Sequence, residues 1–431
     1  MLDIQFIRDN AELVTEKSKQ KGYDVDIQQL LGFDKERREL QQQAGELRRQ
    51  RNELTEHGKG QKPSEEQIAK GREIREKIND LEHKLESIDK EFKVLLKAVP
   101  NMPTDDVPVG ASEADNKVAK TVGDKPQFDF QPKHHYQLGE GKDWIDKERA
   151  AKVSGSRFAY LKGDLVRLQF AIIQWVMDTL GDEKVIQKII DENNLQLTAK
   201  PFTPILPPAM LKTEPYEASA RLNAEEVTYK IEQDDLWLNA SAEHTLCTMY
   251  WNEILPEEQL PIRYIGYSTS FRREAGSYGK DTDGIMRLHQ FDKLEMEVFS
   301  SGETGLQEHL LLIAIQEYLM QQLGLPYQVL QKCTADIGKP NARGVDIEAW
   351  LPGQNTYRET HTADYMTDYQ ARDLKIRVKR DDGSTQLVHT NDATAFALGR
   401  TMIAIMENFQ TADGKVAVPE VLQPFLGADT L

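Results

Sequence analysis

The chain has 431 residues, 39% of them hydrophobic, enough for two or three domains with at least one sizeable core. A net charge of −17, from 54 basic against 71 acidic residues, argues against a protein that coats nucleic acid with its whole surface, while leaving room for a basic patch on one appendage. Cys247 and Cys333 lie far apart without a CxxC or Cys/His cluster, which argues against a disulfide framework or a structural zinc site. The opening MLDIQFIRDNAELV shows no basic leader before an apolar run, and no stretch of ~18 apolar residues follows, so a cytosolic protein without membrane contact is expected.

From Phe33 to Leu54, the positions Phe33, Arg37, Leu40, Ala44, Leu47, Arg51 and Leu54 alternate steps of four and three, which is heptad spacing. After the turn-like HGKGQKPS at 57–64, the series Ile74, Ile78, Leu81, Leu85, Ile88, Phe92 and Leu95 repeats it. Two helices joined by one short polar link are expected to fold back antiparallel, as an arm about 45 to 50 Å long. Ser64, with Gln67 three residues on, predicts the second helix's N-cap and capping box. Between Lys35 and Lys62 there are eight basic and five acidic residues. The ordinary role of such charges is a solvated face, but an arginine on the seam must snorkel or find a partner.

Residues 1–105 thus read as a helical arm, 106–127 as a linker rich in Pro, Gly and Asp, and 128–431 as a second domain. Helical patterning over 164–179 is followed by short alternating segments without a βαβ rhythm. An α+β domain around an antiparallel sheet is expected. No GxGxxG opens a helix and no Walker loop is present, so a nucleotide site must be of another kind.

Residues 262–298 read as a hairpin, with one strand ending near Glu274, a loop AGSYGKDTDGIM, and a second strand beginning near Arg287. Period two puts Arg272 and Glu274 on one face of the first strand and Arg287, His289, Phe291, Lys293 and Glu295 on one face of the second. Leu288, Leu294 and Met296 fall on the opposite, apolar face. Cross-strand ion pairs on a solvated sheet explain most of the charged face, and Phe291 is what they leave unexplained. A ring among guanidinium groups suits a flat polyanion, the ring stacking on a base and the arginines taking phosphates.

FRRE at 271–274, the Gly-rich loop and the Arg287-x-x-x-Phe291 spacing resemble motif 2 of the class II aminoacyl-tRNA synthetases, and EAGSYGKDTDGIMRLHQFDKLE is similar to the seryl members in particular. FTPILPPAM at 202–210 resembles motif 1 (about 202–212), and ALGRTMIAIMENFQTADGKVAVPEVLQPF at 397–425 resembles motif 3 (about 390–425). GSRFAYLKGDLVRL, DIEAWLPGQNTYRE and YQAR add to a likeness that runs the length of the chain, because this family also carries an N-terminal antiparallel coiled-coil arm.

The resemblance implies ATP-dependent activation of L-serine to seryl-adenylate and transfer to the 3' end of tRNA(Ser), with tRNA(Sec) as a further acceptor. It implies ATP and Mg2+ as cofactors, and a homodimer joined through motif 1. Charge builds on phosphate oxygens during in-line attack at the α-phosphorus, so preorganised cations are the main catalytic need. By the same resemblance Arg272 holds the α-phosphate and the serine carboxylate, and Arg287 and Arg400 hold the outer phosphates. Glu274 reads the adenine amino group, Phe291 stacks on the ring, and Arg273, Thr360 and His361 complete the ATP set. Glu359 and Thr362 accompany ATP and magnesium. Serine falls to Ser241, Ala242 and Glu243 of a Thr-x-Glu motif that here has Ser, with Arg272, Glu295 and Thr394. Arg37, Arg38, Arg48, Arg49 and Arg51 on the arm are the implied tRNA contacts.

Some positions depart from that pattern. Residues 359–365 read ETHTADY where small hydroxyl residues ending in Asn are usual, so His361 and Asp364 are atypical. Asp392 stands where Asn is typical, and Ala395 replaces a usual glycine. A carboxylate at 392 either pairs with the substrate ammonium or disturbs recognition of the hydroxyl. Two alternatives to a tRNA ligase are a paralogue that adenylates an amino acid for a carrier protein, which has no use for the arm, and a non-catalytic RNA-binding paralogue, which has no need of Arg272, Glu274, Phe291 and Arg400.

Overall fold

The structure, a computed structural model, describes residues 1–57, 64–222, 227–275, 281 and 283–431. Most of the expected 57–64 turn (58–63) and part of the Gly-rich loop (276–280 and 282) lie outside the described residues. The chain forms two compact units, Met1–Met102 and Pro103–Leu431.

In the first unit, helices Ile4–Asp9 and Ala11–Gln20 precede two long ones, α1 (Ile27–His57) and α2 (Glu65–Ala98). The Ser64 side chain accepts from the Gln67 amide while the Gln67 side chain accepts from the Ser64 amide, the expected capping box. Contacts between α1 and α2 run in opposite chain order: Arg37 meets Asp89 and Phe92, and Arg48 meets Glu82 at 2.6 Å. The helices are therefore antiparallel. Ala44, Ile74, Ile78 and Phe92 are buried along the seam, and burying each large apolar side chain contributes about 1.5–3 kcal/mol.

The second unit is built on a sheet that, among the described residues, has eight strands: β1 (Lys117–Val122), β2 (Thr203–Ile205), β3 (Ile262–Phe271), β4 (Gln290–Ser300), β5 (Tyr327–Gln331), β6 (Arg343–Leu351), β7 (Thr356–Thr367) and β8 (His389–Ala397). Their spatial order is β1-β5-β6-β7-β8-β4-β3-β2. Every neighbouring pair is antiparallel except β2 with β3. The 106–127 segment is fastened to this sheet rather than running free. Its residues 117–122 form edge strand β1, and Asp106 pairs with Arg343 at 2.7 Å.

One face of the sheet is closed by α3 (Asp164–Leu180), α4 (Gly305–Gln322) and α5 (Leu398–Asn408). Leu294, Met296 and Val298 of β4 pack there among Leu168, Ile172, Leu311, Ile315, Met402 and Ile405. Alternation along β4 therefore sends its charged residues to the other face. Arg263 on β3 and Glu308 on α4 are fully buried against each other at 2.8 Å, and the remaining guanidinium nitrogen donates to the carbonyls of Thr198 and Lys200. Such a pair is tolerated in a core because its hydrogen bonds are satisfied, and it ties helix to strand.

The hairpin is shorter than its sequence suggests. β3 ends at Phe271 and β4 begins at Gln290, so Arg272, Glu274, Arg287 and His289 lie beyond the ladder. Glu274 takes a left-handed conformation, φ 54°. Strand alternation cannot set where these side chains point, and each is aimed instead by the loop's own turns.

Candidate active site

Three devices shape the charged face. A bulge between Ile347 and Glu348 on β6 leaves Thr360 of β7 without a cross-strand partner, and another between Leu294 and Glu295 leaves Ala395 of β8 unpaired. Bulges re-aim side chains next to sites. Gly266 on β3 lies opposite Glu295, and a Cβ there would come within 2.8 Å of the Leu246 side chain and 3.6 Å of Ala242. Its bareness lets the Ser241–Leu246 turn sit directly on β4.

The open half of the site is a cleft lined by Arg272, Glu274, Arg287, Phe291, Lys293, Glu359, Thr360, Thr362, Thr394 and Arg400, with Ile285, Met286, Leu288 and Gly399. Leu288, expected on the apolar face, is thus part of the wall. The Arg272 guanidinium lies 5.2 Å from the Phe291 ring centre and donates to the Ala240 carbonyl at 3.1 Å. Arg287 pairs with Glu274 at 2.9 Å, and Arg400 with the Glu359 carboxylate at 3.2 Å and its carbonyl at 2.8 Å. These arginines are a quarter to a third exposed, so an anion can take the place of each carboxylate at modest cost. Three guanidinium groups around one aromatic ring can grip a nucleotide polyphosphate.

The inner half is buried. Ser241 donates to Glu243 at 2.5 Å. Lys293 donates to Ser241 at 3.0 Å and pairs with Glu295 at 2.5 Å and Glu243 at 3.5 Å. Glu295 is in register with Thr394, and Glu297 with Asp392. Asp392 is in turn bonded to the guanidinium of Arg221, which also approaches Asp364 at 4.0 Å. Burial, opposed by Lys293 and reinforced by Glu243 and Asp392, pushes Glu295 well above the ordinary carboxylate range. Burial also acts on Glu243, but Lys293, His244 and Arg221 outweigh it and hold that group well below the range. Asp392 is pushed up to about 8 by burial, with Arg221 opposing and Glu243 reinforcing.

Two residues expected at the ATP site are placed elsewhere. Beyond the bulged Thr360, alternation turns His361 to the core face, where it lies 5.1 Å from the Phe396 ring and burial lowers it to about 3. Arg273 is drawn away to the Tyr229 ring, 5.8 Å distant. On the arm, Arg37 is taken up within the coiled coil by Asp34, Asp89 and Phe92, and Arg38 by Asp34 at 3.1 Å. Arg48 and Arg49 make pairs in which both partners are half-exposed, and Arg51 is exposed. Sequence reading gave no role to Lys293 and did not find Arg221 or Glu297. Lys293 and Glu297 continue the period-two face of Phe291 and Glu295, but Arg221 is brought in from a distant segment without a motif.

A family model for the seryl-tRNA synthetase N-terminal domain matches residues 1–103, and one for the tRNA synthetase class II core domain (G, H, P, S and T) matches residues 228–409. The chain is 38% identical over 434 residues to a serine–tRNA ligase of Exiguobacterium sibiricum, covering 99% of this chain and 98% of that one. It is 37% identical to the serine–tRNA ligase of Nitrosopumilus maritimus, covering 99% of each. The seryl-tRNA synthetase of Pyrococcus horikoshii, solved in complex with ATP, superposes with a TM-score of 0.87 at 37% identity, covering 100% of this chain and 99% of that one. With this likeness spanning both units, the chain belongs to the seryl-tRNA synthetase family.

Proposed function

We propose that this protein is a serine–tRNA ligase, condensing L-serine with ATP to seryl-adenylate and transferring serine to the 3' end of tRNA(Ser) or tRNA(Sec). The observation that carries the reading is the continuity of the two halves of the cleft: arginines around Phe291 lead directly to the buried Ser241, Glu243, Lys293 and Glu295 cluster. Arg272 stands at the junction, suited to the α-phosphate and the serine carboxylate. Arg287 and Arg400 take the outer phosphates, Phe291 stacks on adenine, and Glu274 accepts from its amino group. Glu295 receives the serine ammonium, and Thr394 the hydroxyl. The reaction needs no protein nucleophile, because the serine carboxylate attacks the α-phosphorus itself and charge stabilisation lowers the barrier.

Glu359 and Thr362 offer hard oxygen donors on the cleft wall that fit Mg2+. Bound there, the ion would neutralise phosphate charge. The arm engages tRNA through Arg48, Arg49 and Arg51, whose charges are accessible. A homodimer forms along the β2 edge, where Leu206 and Met210 are exposed apolar residues beside a short strand.

ATP–pyrophosphate exchange with each of the twenty amino acids tests the activity. Exchange with serine alone is expected, and exchange with a different amino acid, or none, would overturn the reading. Deleting residues 36–97 should spare serine-dependent exchange and abolish tRNA charging; undiminished charging would show that the arm does not read tRNA.

A further inference from the structure

We infer that Asp392, held by Arg221, is a third acceptor for the substrate's α-ammonium, forming a tripod with Glu243 and Glu295. This rests on the serine-activation reading and adds a binding residue to it.

One carboxylate oxygen from each of Glu243, Glu295 and Asp392 lies within 4.8 Å of the other two, and all three residues are buried. The centre of such a triangle is at most about 2.8 Å from each corner, an N–H···O distance, and a primary ammonium has three donors and no acceptor. A second observation is independent of the cluster's acidity. Glu295 Oε1 is buried without a hydrogen-bond partner, while Lys293 engages Oε2. A serine hydroxyl has one donor, and would leave two of the three carboxylates unmatched.

The charges support the same occupant. Three carboxylates face two fixed cations, Lys293 and Arg221, and one ammonium brings the sum to zero. Buried charge must be balanced in this way. Glu297, His244, Asp364 and Arg272 also face the cluster. Glu297, from β4, has neither oxygen bonded, and burial together with Asp392 and Glu243 pushes it far up, toward its neutral form. Burial lowers His244, keeping it neutral. Asp364, from β7, approaches Arg221 at 4.0 Å, and Arg272 stands at the mouth of the cluster on the cleft wall. Without substrate, the surplus negative charge is met by a proton, which the incoming ammonium displaces.

The test is D392N in serine-dependent exchange, with L-alanine as a competitive inhibitor that keeps the ammonium and lacks the hydroxyl. Loss of one charge-assisted acceptor should raise the serine KM and the alanine inhibition constant together, roughly 10- to 100-fold, with the ATP KM little changed and kcat changed less than the serine KM. A rise in the serine KM with unchanged alanine inhibition would show that Asp392 reads the hydroxyl, and no change in either would remove it from the site. Both results overturn the inference. Because D392N leaves Arg221 buried without its partner, the double variant R221M/D392N, which removes both charges at similar volume, should show the same joint rise, and unchanged constants there would equally overturn it. Failure of the wild-type chain to exchange with serine would instead defeat the underlying reading.

Discussion

The two halves of the cleft hold charge in opposite ways. In the open half, Arg287 and Arg400 are partly exposed, and Glu359, the partner of Arg400, is half-exposed. In the inner half, Glu243, Glu295, Lys293 and Asp392 are buried, and Arg221 is largely so. Exposed pairs exchange partners at little cost, whereas a buried charge stripped of its partner costs several kcal/mol. The open half is thus suited to gripping and releasing a polyphosphate. The buried half is suited to holding a ligand whose ammonium matches its carboxylates.

Four measurements would break or sharpen that contrast. Arg272 sits at the junction, so Arg272→Ala should cost about 10^3-fold in serine-dependent exchange, a loss typical of removing a preorganised charge from the reacting centre. A loss under tenfold would show that the two halves act separately. Glu295→Ala should raise the serine KM roughly 100-fold and leave the ATP KM nearly unchanged, since it removes a buried acceptor from the inner half alone. If the ATP requirement rose instead, the partition would be wrong.

Smaller effects test the inner half. Burial raises Asp392 to about 8, and Glu295 is also raised, so the free cluster holds a proton near neutrality. Serine binding then releases that proton and should weaken as pH falls from about 8 to 6, by up to roughly 50-fold. A flat serine KM over that range, read beside a flat ATP KM, would show that the cluster is already fully ionised. Last, Gly266→Ala forces a Cβ against Leu246, and should lower stability by about 1–3 kcal/mol in urea unfolding while raising the serine KM. An unperturbed variant would show that the Ser241–Leu246 turn is free to shift.

Much of this protein was legible in order of residues alone, because the relevant physics is local. Heptad spacing specified both long helices, Ser64 and Gln67 specified the start of the second, and period two along Phe291, Lys293 and Glu295 specified a polar face opposite Leu294 and Met296. The family motifs located most of the cleft residues. What only the tertiary structure decided depended on departures from periodicity or on contacts between distant segments. The bulge at Thr360 turned His361 to the core, and the early ends of β3 and β4 took Arg272, Glu274 and Arg287 off the ladder. The Tyr229 ring took Arg273, and Asp89 with Phe92 took Arg37. Above all, the meaning of Asp392 rested on Arg221 and Glu243, which stand 171 and 149 positions away in the chain. Spacing in sequence specifies which face a side chain occupies, but the charge it meets there is set by whichever strands and loops the fold packs against that face.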